Sequence, residues 1–321
     1  MGRRKIKKRG TVVDLFCGCG GFSLGAELAG FQPLAAIDID PILQSAYRRN
    51  FPKSRVIQAS VADIAESDWR HLLGKVRPDG LIGGPPCQGF SPMGKHWKND
   101  PRNTLLSHFY RHVRILRPKF FIMENVPGLL SEDKFDILSN GLENVPSRYR
   151  ILDPIVITAS DYGAATSRRR VVIIGYDPSE VDPILPELLQ VRTPRERITV
   201  RDAITDLPEP IPETKARGEF GWAKYPSRAT HRLTDYAKRL RSLPPVGLGW
   251  SQAIELHEGG FVSGLIETQH SGKVARRYRT TECGKTDAVT KAYRLEWDGQ
   301  CPTIRAGTGS DNDAIRMDDP L

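Results

Sequence analysis

The chain has 321 residues, long enough for one large domain or two ordinary ones, and its 47 Lys and Arg against 38 Asp and Glu leave a formal charge of +9 that favours an anionic partner, nucleic acid first. Five cysteines without a Cys-x-x-Cys pair argue against a disulfide framework or a ribbon-type zinc site, fit a reducing cytoplasm, and leave no metal expected. The basic start leads into a short strand pattern rather than a signal-peptide core, and no apolar run is long enough to span a bilayer, so a soluble protein with no membrane partner is expected.

In chain order, residues 11–16, 34–39, 80–82, 119–123, 151–157 and 171–175 read as short apolar strands. Residues 21–29, 41–50, 104–116 and 134–143 read as helices between them. Strand, helix, strand in this rhythm predicts an α/β fold, a mostly parallel sheet with helices on both faces and ligands at the carboxyl ends of its strands. Near residue 180 the rhythm fails and Pro-rich stretches such as Pro208-Glu209-Pro210-Ile211-Pro212 begin. Two domains are therefore expected: residues 1–180, and a smaller irregular region with its linker at 181–321. In that region Arg217, Lys224, Arg228, Arg232, Lys238, Arg239 and Arg241 face only Glu219 and Asp235. Such a run is either a phosphate-contacting surface or a solvated face.

The first strand runs into Cys17-Gly18-Cys19-Gly20-Gly21-Phe22-Ser23, then a helix. Glycines there let the backbone turn sharply and approach a ligand at the helix N-terminus. Asp38 ends the next strand, where a carboxylate can accept from both hydroxyls of a ribose, which suggests an adenosine-containing cofactor. The same turn serves nicotinamide and flavin enzymes or simply closes a loop, although Ser23 stands where a dinucleotide fingerprint places glycine. Asp63-Ile64, read at the end of another strand, suits an adenine amino group and ring edge.

Gly83-Gly84-Pro85-Pro86 stiffens the chain just beyond a strand and presents Cys87, a display that a buried thiol would not need. Glu124 ends the apolar strand 119–123 and is expected at the same sheet edge, where it either serves chemistry or caps a helix. In Ser167-Arg168-Arg169-Arg170 strand alternation places Arg168 and Arg170 on one face, able to converge on an anion; otherwise the triplet is a basic edge.

Taken together, Asp14-Leu15-Phe16-Cys17-Gly18-Cys19-Gly20-Gly21-Phe22-Ser23, Pro85-Pro86-Cys87-Gln88, Glu124-Asn125-Val126 and the Arg168-x-Arg170 strand resemble the DNA (cytosine-5)-methyltransferase family in order and spacing, over roughly half the chain. The resemblance implies a Rossmann-like catalytic domain and a DNA-recognition region. It implies S-adenosylmethionine held by Phe16, Gly18, Gly20, Gly21, Phe22, Asp38, Ile39, Asp63, Ile64, Pro86 and Leu105, the last from the segment Asp100–Leu105. Gln88, Ser91 and Asn125 would contact the substrate base. Cys87, Glu124, Arg168 and Arg170 would be catalytic: the thiolate adds to carbon 6 of a flipped cytosine, Glu124 offsets charge at ring nitrogen 3, and the arginines hold the carbonyl and a nearby anion. Residues 91–99 would close over double-stranded DNA. A bacterial cytoplasm and a restriction–modification role follow from the same resemblance.

Two departures qualify it. Thr166 stands where the family commonly has Gln, a change expected to be tolerated. Beyond Cys301-Pro302-Thr303-Ile304-Arg305 the usual final motifs do not follow, so either a complementing chain or a truncated and poorly active product is expected. A cytosine deaminase is excluded because Phe90 stands where its second zinc-binding cysteine belongs. A nicotinamide oxidoreductase gives no reason for the Cys87 loop or the arginines. A tRNA cytosine methyltransferase and a non-catalytic DNA-binding subunit remain as alternatives.

Overall fold

A computed structural model describes residues 9–86, 104–189, 197–212, 220–226, 233–267 and 269–304, apart from the side chains of Asp133, Phe135 and Leu188. The chain divides into two compact units, Met1–Ile157 with Arg169–Gln190 and Pro244–Trp250, and Thr158–Arg168 with Val191–Leu243 and Ser251–Leu321.

The first unit runs β1 (Gly10–Leu15), α1 (Gly21–Leu28), β2 (Phe31–Asp38), α2 (Pro41–Asn50), β3 (Arg55–Gln58), α3 (Glu66–Leu73), β4 (Gly80–Gly83), α4 (Thr104–Leu116), β5 (Phe120–Asn125), α5 (Phe135–Leu142), β6 (Arg150–Ile151), β7 (Ile155–Thr158) and β8 (Arg169–Tyr176). The sheet order is β3-β2-β1-β4-β5-β8-β6, with β7 also on β8. β1 to β5 pair in parallel, and β8 returns antiparallel between β5 and β6. The mostly parallel α/β sheet expected from the alternating pattern is thus present.

Local chemistry explains the elements that position the site. Val12 to Leu15 on central β1 are all buried, as a strand covered on both faces requires. α2 starts where the Asp40 carboxylate accepts the amides of Ile42 and Leu43 and Pro41 supplies a pre-set first turn. α4 buries Leu106, Phe109, Tyr110, Val113 and Leu116, a helical stripe against Phe121, Met123 and Leu81. Each such side chain contributes roughly 1.5–3 kcal/mol of transfer free energy, so α4 is held on the sheet along its whole length. The expected strand 151–157 is two strands, β6 and β7, because Pro154 offers no amide to continue a ladder.

The second unit contains α6 (Val200–Ile204), β9 (Ile211–Pro212), β10 (Ala223–Lys224), α7 (Asp235–Leu240), α8 (Ser251–Glu258), β11 (Phe261–Val262), β12 (Ile266–Glu267) and α9 (Gly272–Thr280). β10 pairs antiparallel with β11, and β9 pairs in parallel with β12. Among its described residues the buried apolar side chains are few, Val200, Ala237, Leu265 and Ala292. Polar ties compensate. Arg241 binds Asp206 at 2.6 Å and lies 3.4 Å over the Tyr225 ring, and Arg277 binds buried Asp287 at 2.6 Å. Among the described residues no helix is long and apolar enough to cross a membrane.

Candidate active site at the carboxyl ends of the sheet

Phe16, Gly18 and Gly20 all take positive φ, at 60°, 53° and 102°, and turn the chain from β1 into α1. Gly20 is required twice over, because a Cβ there would lie 2.2 Å from Phe51 Cε2. The Gly18 amide donates to Asp38 Oδ2 at 2.8 Å, and the Asp40 amide donates to Asp38 Oδ1 at 3.0 Å. Asp38 is thereby locked beside the glycine turn. Each of its oxygens keeps a further lone-pair site for a ribose hydroxyl. Gly21 opens α1 and Phe22 on it is half-buried; Ile39, next to Asp38, is 67 % exposed, an apolar side chain left uncovered at a strand end.

Ser23 has a structural reason of its own. Its hydroxyl donates to Asp14 Oδ2 at 2.6 Å and lies 2.7 Å from the Tyr47 hydroxyl, all buried beneath the turn. Burial pushes the Asp14 carboxyl up to about 7, against a smaller lowering by the Ser23 hydrogen bond.

Asp63 and Ile64 do not end a strand. β3 stops at Gln58 and the pair sits in the following turn, with Asp63 exposed and Ile64 buried. Arg111 and His112 of α4 hold that turn, and nothing in the sequence pattern marked them. Arg111 Nη2 donates to the carbonyls of Val61, Ala62 and Ile64 at 3.1, 2.9 and 3.0 Å. Trp69 Nε1 donates to His112 Nδ1 at 2.9 Å, which leaves Nε2 carrying the proton and donating to Val61 O at 2.9 Å. Burial pushes His112 down to about 4, so it is neutral at ordinary pH. Leu105 lies half-buried in the first turn of the same helix.

Glu124 and Arg170 are brought together. β5 and β8 pair with Glu124 opposite Val172, which places Arg170 diagonally across on the same face. Arg170 Nε reaches Glu124 Oε1 at 2.5 Å, with the two side chains 15 % and 31 % exposed. The parallel register of β4 on β5 brings Gly84 alongside, where a Cβ would stand 2.9 Å from Glu124 Oε2. Asn125, expected at the substrate, is buried: its amide nitrogen donates to Pro85 O at 3.2 Å and its oxygen accepts the Val126 amide at 2.8 Å. The acid, the guanidinium and the backbone leading to Cys87 therefore share one corner of the sheet. Pro86 is exposed at its end; Cys87, Gln88 and Ser91 lie outside the described residues.

Arg168 does not follow the expected strand alternation, because β8 begins at Arg169. Arg168 belongs to the second unit. Its amide donates to Thr166 Oγ1 at 3.3 Å and its carbonyl accepts the Ala159 amide at 2.8 Å. Thr166 bridges Cys301 in parallel, and the Ser167 and Cys301 amides bond to Cys301 O and Ala165 O. The hydroxyl standing in place of an amide side chain thus caps a backbone junction.

A doubly wound α/β unit with a glycine turn, an acid at the end of its second strand and a carboxylate–guanidinium pair at the end of its fifth gathers these groups at the carboxyl ends of the strands, where sheets of this class take their ligands. The sequence profile of the C-5 cytosine-specific DNA methylases matches residues 10–295. The Type II methyltransferase M.XorII of Xanthomonas oryzae pv. oryzae is 36 % identical over 322 residues, covering 96 % of this chain and 71 % of its own length. M.DdeI of Desulfomicrobium norvegicum is 37 % identical over 210 residues, or 62 % of this chain, which spans about half the length of that relative (48 %). A solved E. coli structure assigned as a DNA modification methyltransferase encoded within prophage Cp superposes with a TM-score of 0.81 at 36 % identity, covering 92 % of this chain and 82 % of the other. The chain belongs to the C-5 cytosine-specific DNA methylase family, as its motifs implied.

Proposed function

We propose that this chain transfers a methyl group from S-adenosylmethionine to carbon 5 of cytosine in duplex DNA, through a covalent adduct between Cys87 and carbon 6 of a flipped-out base. The observation that carries the reading is the Glu124–Arg170 pair set against Gly84, with the adjacent Asn125 bonded to Pro85 O, on the backbone that leads into the Cys87 loop. The residues present fit the cofactor: the Gly18 turn and Asp38 offer a ribose site, uncovered Ile39 an apolar contact, and the Asp63-Ile64 turn an adenine edge. When bound, S-adenosylmethionine supplies an electrophilic methyl group on its sulfonium.

The Cys87 thiolate forms a bond to carbon 6, and the electron pair of the 5,6 double bond is pushed into the ring, which makes carbon 5 nucleophilic. Glu124 shares a proton with ring nitrogen 3 and accepts from the exocyclic amine, and its carboxylate has lone pairs enough to keep Arg170 as well. Arg170 and Arg168 supply positive charge to the base carbonyl and a neighbouring anion. Once carbon 5 is methylated, water removes its remaining proton, the double bond re-forms and the sulfur of Cys87 departs. Extruding the base costs a few kcal/mol, recovered through pocket and phosphate contacts. The setting is a bacterial cytoplasm, and the Type II relatives support a restriction–modification role.

The test is trapping on duplex DNA containing 5-fluorocytosine, with labelled cofactor. A denaturation-stable adduct, absent in Cys87→Ser, is expected. No adduct in any condition, with duplex still bound, favours a non-catalytic DNA-binding subunit. Preferential labelling of tRNA in parallel reactions favours the RNA reading. The same assay with and without candidate second polypeptides reads any need for a complementing chain.

A further inference from the structure

We propose that Arg111 is a positioning residue that sets the adenine-binding turn of the cofactor site. The inference rests on the reading that Asp63 and Ile64 meet adenine, and deepens it. The turn 61–64 commits three carbonyls, those of Val61, Ala62 and Ile64, to the single nitrogen Arg111 Nη2. Val61 O is shared with His112 Nε2. Three acceptors on one nitrogen over four residues fold the backbone around the guanidinium with its oxygens inward.

The opposite side of the turn is left with the groups an adenine edge needs. Asp63 is exposed and accepts, as the 6-amino group requires. Among the described residues the Ala62 and Asp63 amides are satisfied by Ser60 and the Ala65 amide by Asp68. The Ile64 amide has no such partner and remains a donor for a ring nitrogen. One acceptor and one donor on adjacent residues match the amino and ring nitrogens of adenine, and would not match a base whose edge is reversed.

Arg111 belongs to α4, whose first turn carries Leu105 and whose N-terminal end follows directly on residues 87–103, the segment that includes Cys87. The arginine therefore links the adenine turn to the helix that leads out of the nucleophile segment. Its Nη2 is spent on the carbonyls of the turn, so it acts through the turn and not by contact with adenine or cytosine.

The experiment measures binding of S-adenosylhomocysteine and of its analogue lacking the 6-amino group, by calorimetry, to the wild-type chain and to Arg111→Met, Arg111→Gln and Arg111→Lys. The quantity read is the ratio of the two affinities, which a general loss of stability lowers equally in numerator and denominator. The wild type is expected to prefer the amino-bearing ligand by about tenfold, the increment of a hydrogen bond or two in a buried site. In Arg111→Met and Arg111→Gln the ratio falls toward one, and Arg111→Lys, with three donors on one nitrogen, restores part of it. A wild-type ratio retained in every Arg111 variant that folds overturns the proposal. A wild-type chain that binds neither ligand overturns the cofactor reading instead, and one that binds both equally overturns the placing of the adenine amino group at Asp63.

Discussion

Asp14 offers a direct test of how the glycine turn is supported. It is 1 % exposed on central β1, its Oδ2 accepts the Ser23 hydroxyl, and its Oδ1 has no partner. Burial raises its carboxyl from 3.8 to about 7. Because the folded-state value lies above the unfolded one, the stability linked to this group is complete below about pH 4 and is lost as pH rises through 7. A shift of this size corresponds to a ceiling of about 4 kcal/mol, of which about 2–3 kcal/mol falls between pH 5 and pH 8. Asp14→Asn keeps the shape, leaves an oxygen to accept from Ser23, and cannot ionise. Its stability relative to wild type should therefore rise by about 2–3 kcal/mol from pH 5 to pH 8, measured by urea unfolding at matched ionic strength. A difference that stays flat across that range, or moves the other way, would show that the carboxylate is charged and satisfied in the folded chain, and the reasoning would fail.

Three further outcomes are expected. His112 has the opposite sign: its value is lowered from 6.5 to about 4, so its contribution is full above pH 6.5 and falls as pH drops toward 4, by about 2 kcal/mol at pH 5. His112→Gln should flatten that part of the acid limb, and an unchanged limb counts against a neutral buried ring. Gly20→Ala meets both a φ of 102° and the Phe51 ring, a cost of roughly 2–5 kcal/mol; calorimetry should show a clear fall in Tm, and an unchanged Tm contradicts the packing. Replacing Lys273, Arg276 and Arg279 with Gln should lower the slope of log K for duplex binding against log salt by about 0.9 for each phosphate contact removed. An unaltered slope removes α9 from the DNA surface.

What the sequence showed depended on how local the governing physics is. α2 and α4 were legible to the residue, one from Asp40 and Pro41 at its start, the other from a buried helical stripe. The strand read as ending at Asp63-Ile64 was misplaced, because β3 is a four-residue edge strand with both ends exposed that stops at Gln58, and α3 was missed because it buries Trp69 and Leu73 amid charged neighbours. The meeting of Glu124 and Arg170 depends on the antiparallel register of β8 on β5, which no local pattern encodes. The Arg168 alternation failed for a local reason of another kind: Thr166 Oγ1 takes the Arg168 amide and the ladder starts one residue later. Arg111 left no trace at all, because a basic residue on an amphipathic helix looks the same whether it meets water or three carbonyls.

The basic residues of the second unit show the same distinction in terms of charge. The run between Arg217 and Arg241 holds seven Lys and Arg, yet its described members are largely occupied at home. Arg241 is held by Asp206 and Tyr225, Lys238 by Asp235, Arg239 by the Tyr236 ring and Lys224 by Phe261, while Arg217, Arg228 and Arg232 lie outside the described residues. α9 differs. Arg277 turns inward to Asp287, which also holds the amides of Val289 and Thr290 and so fixes the helix on the segment that follows. Lys273, Arg276 and Arg279 are exposed at a spacing of three, with no ion pair among the described residues. A row of cations on one helix, without an ion pair among the described residues and tied down through Arg277 to buried Asp287, would present charge to an anionic partner in a fixed orientation. Density along the chain measures how many cations there are; periodicity and the acids already engaged decide which of them are available to a phosphate backbone.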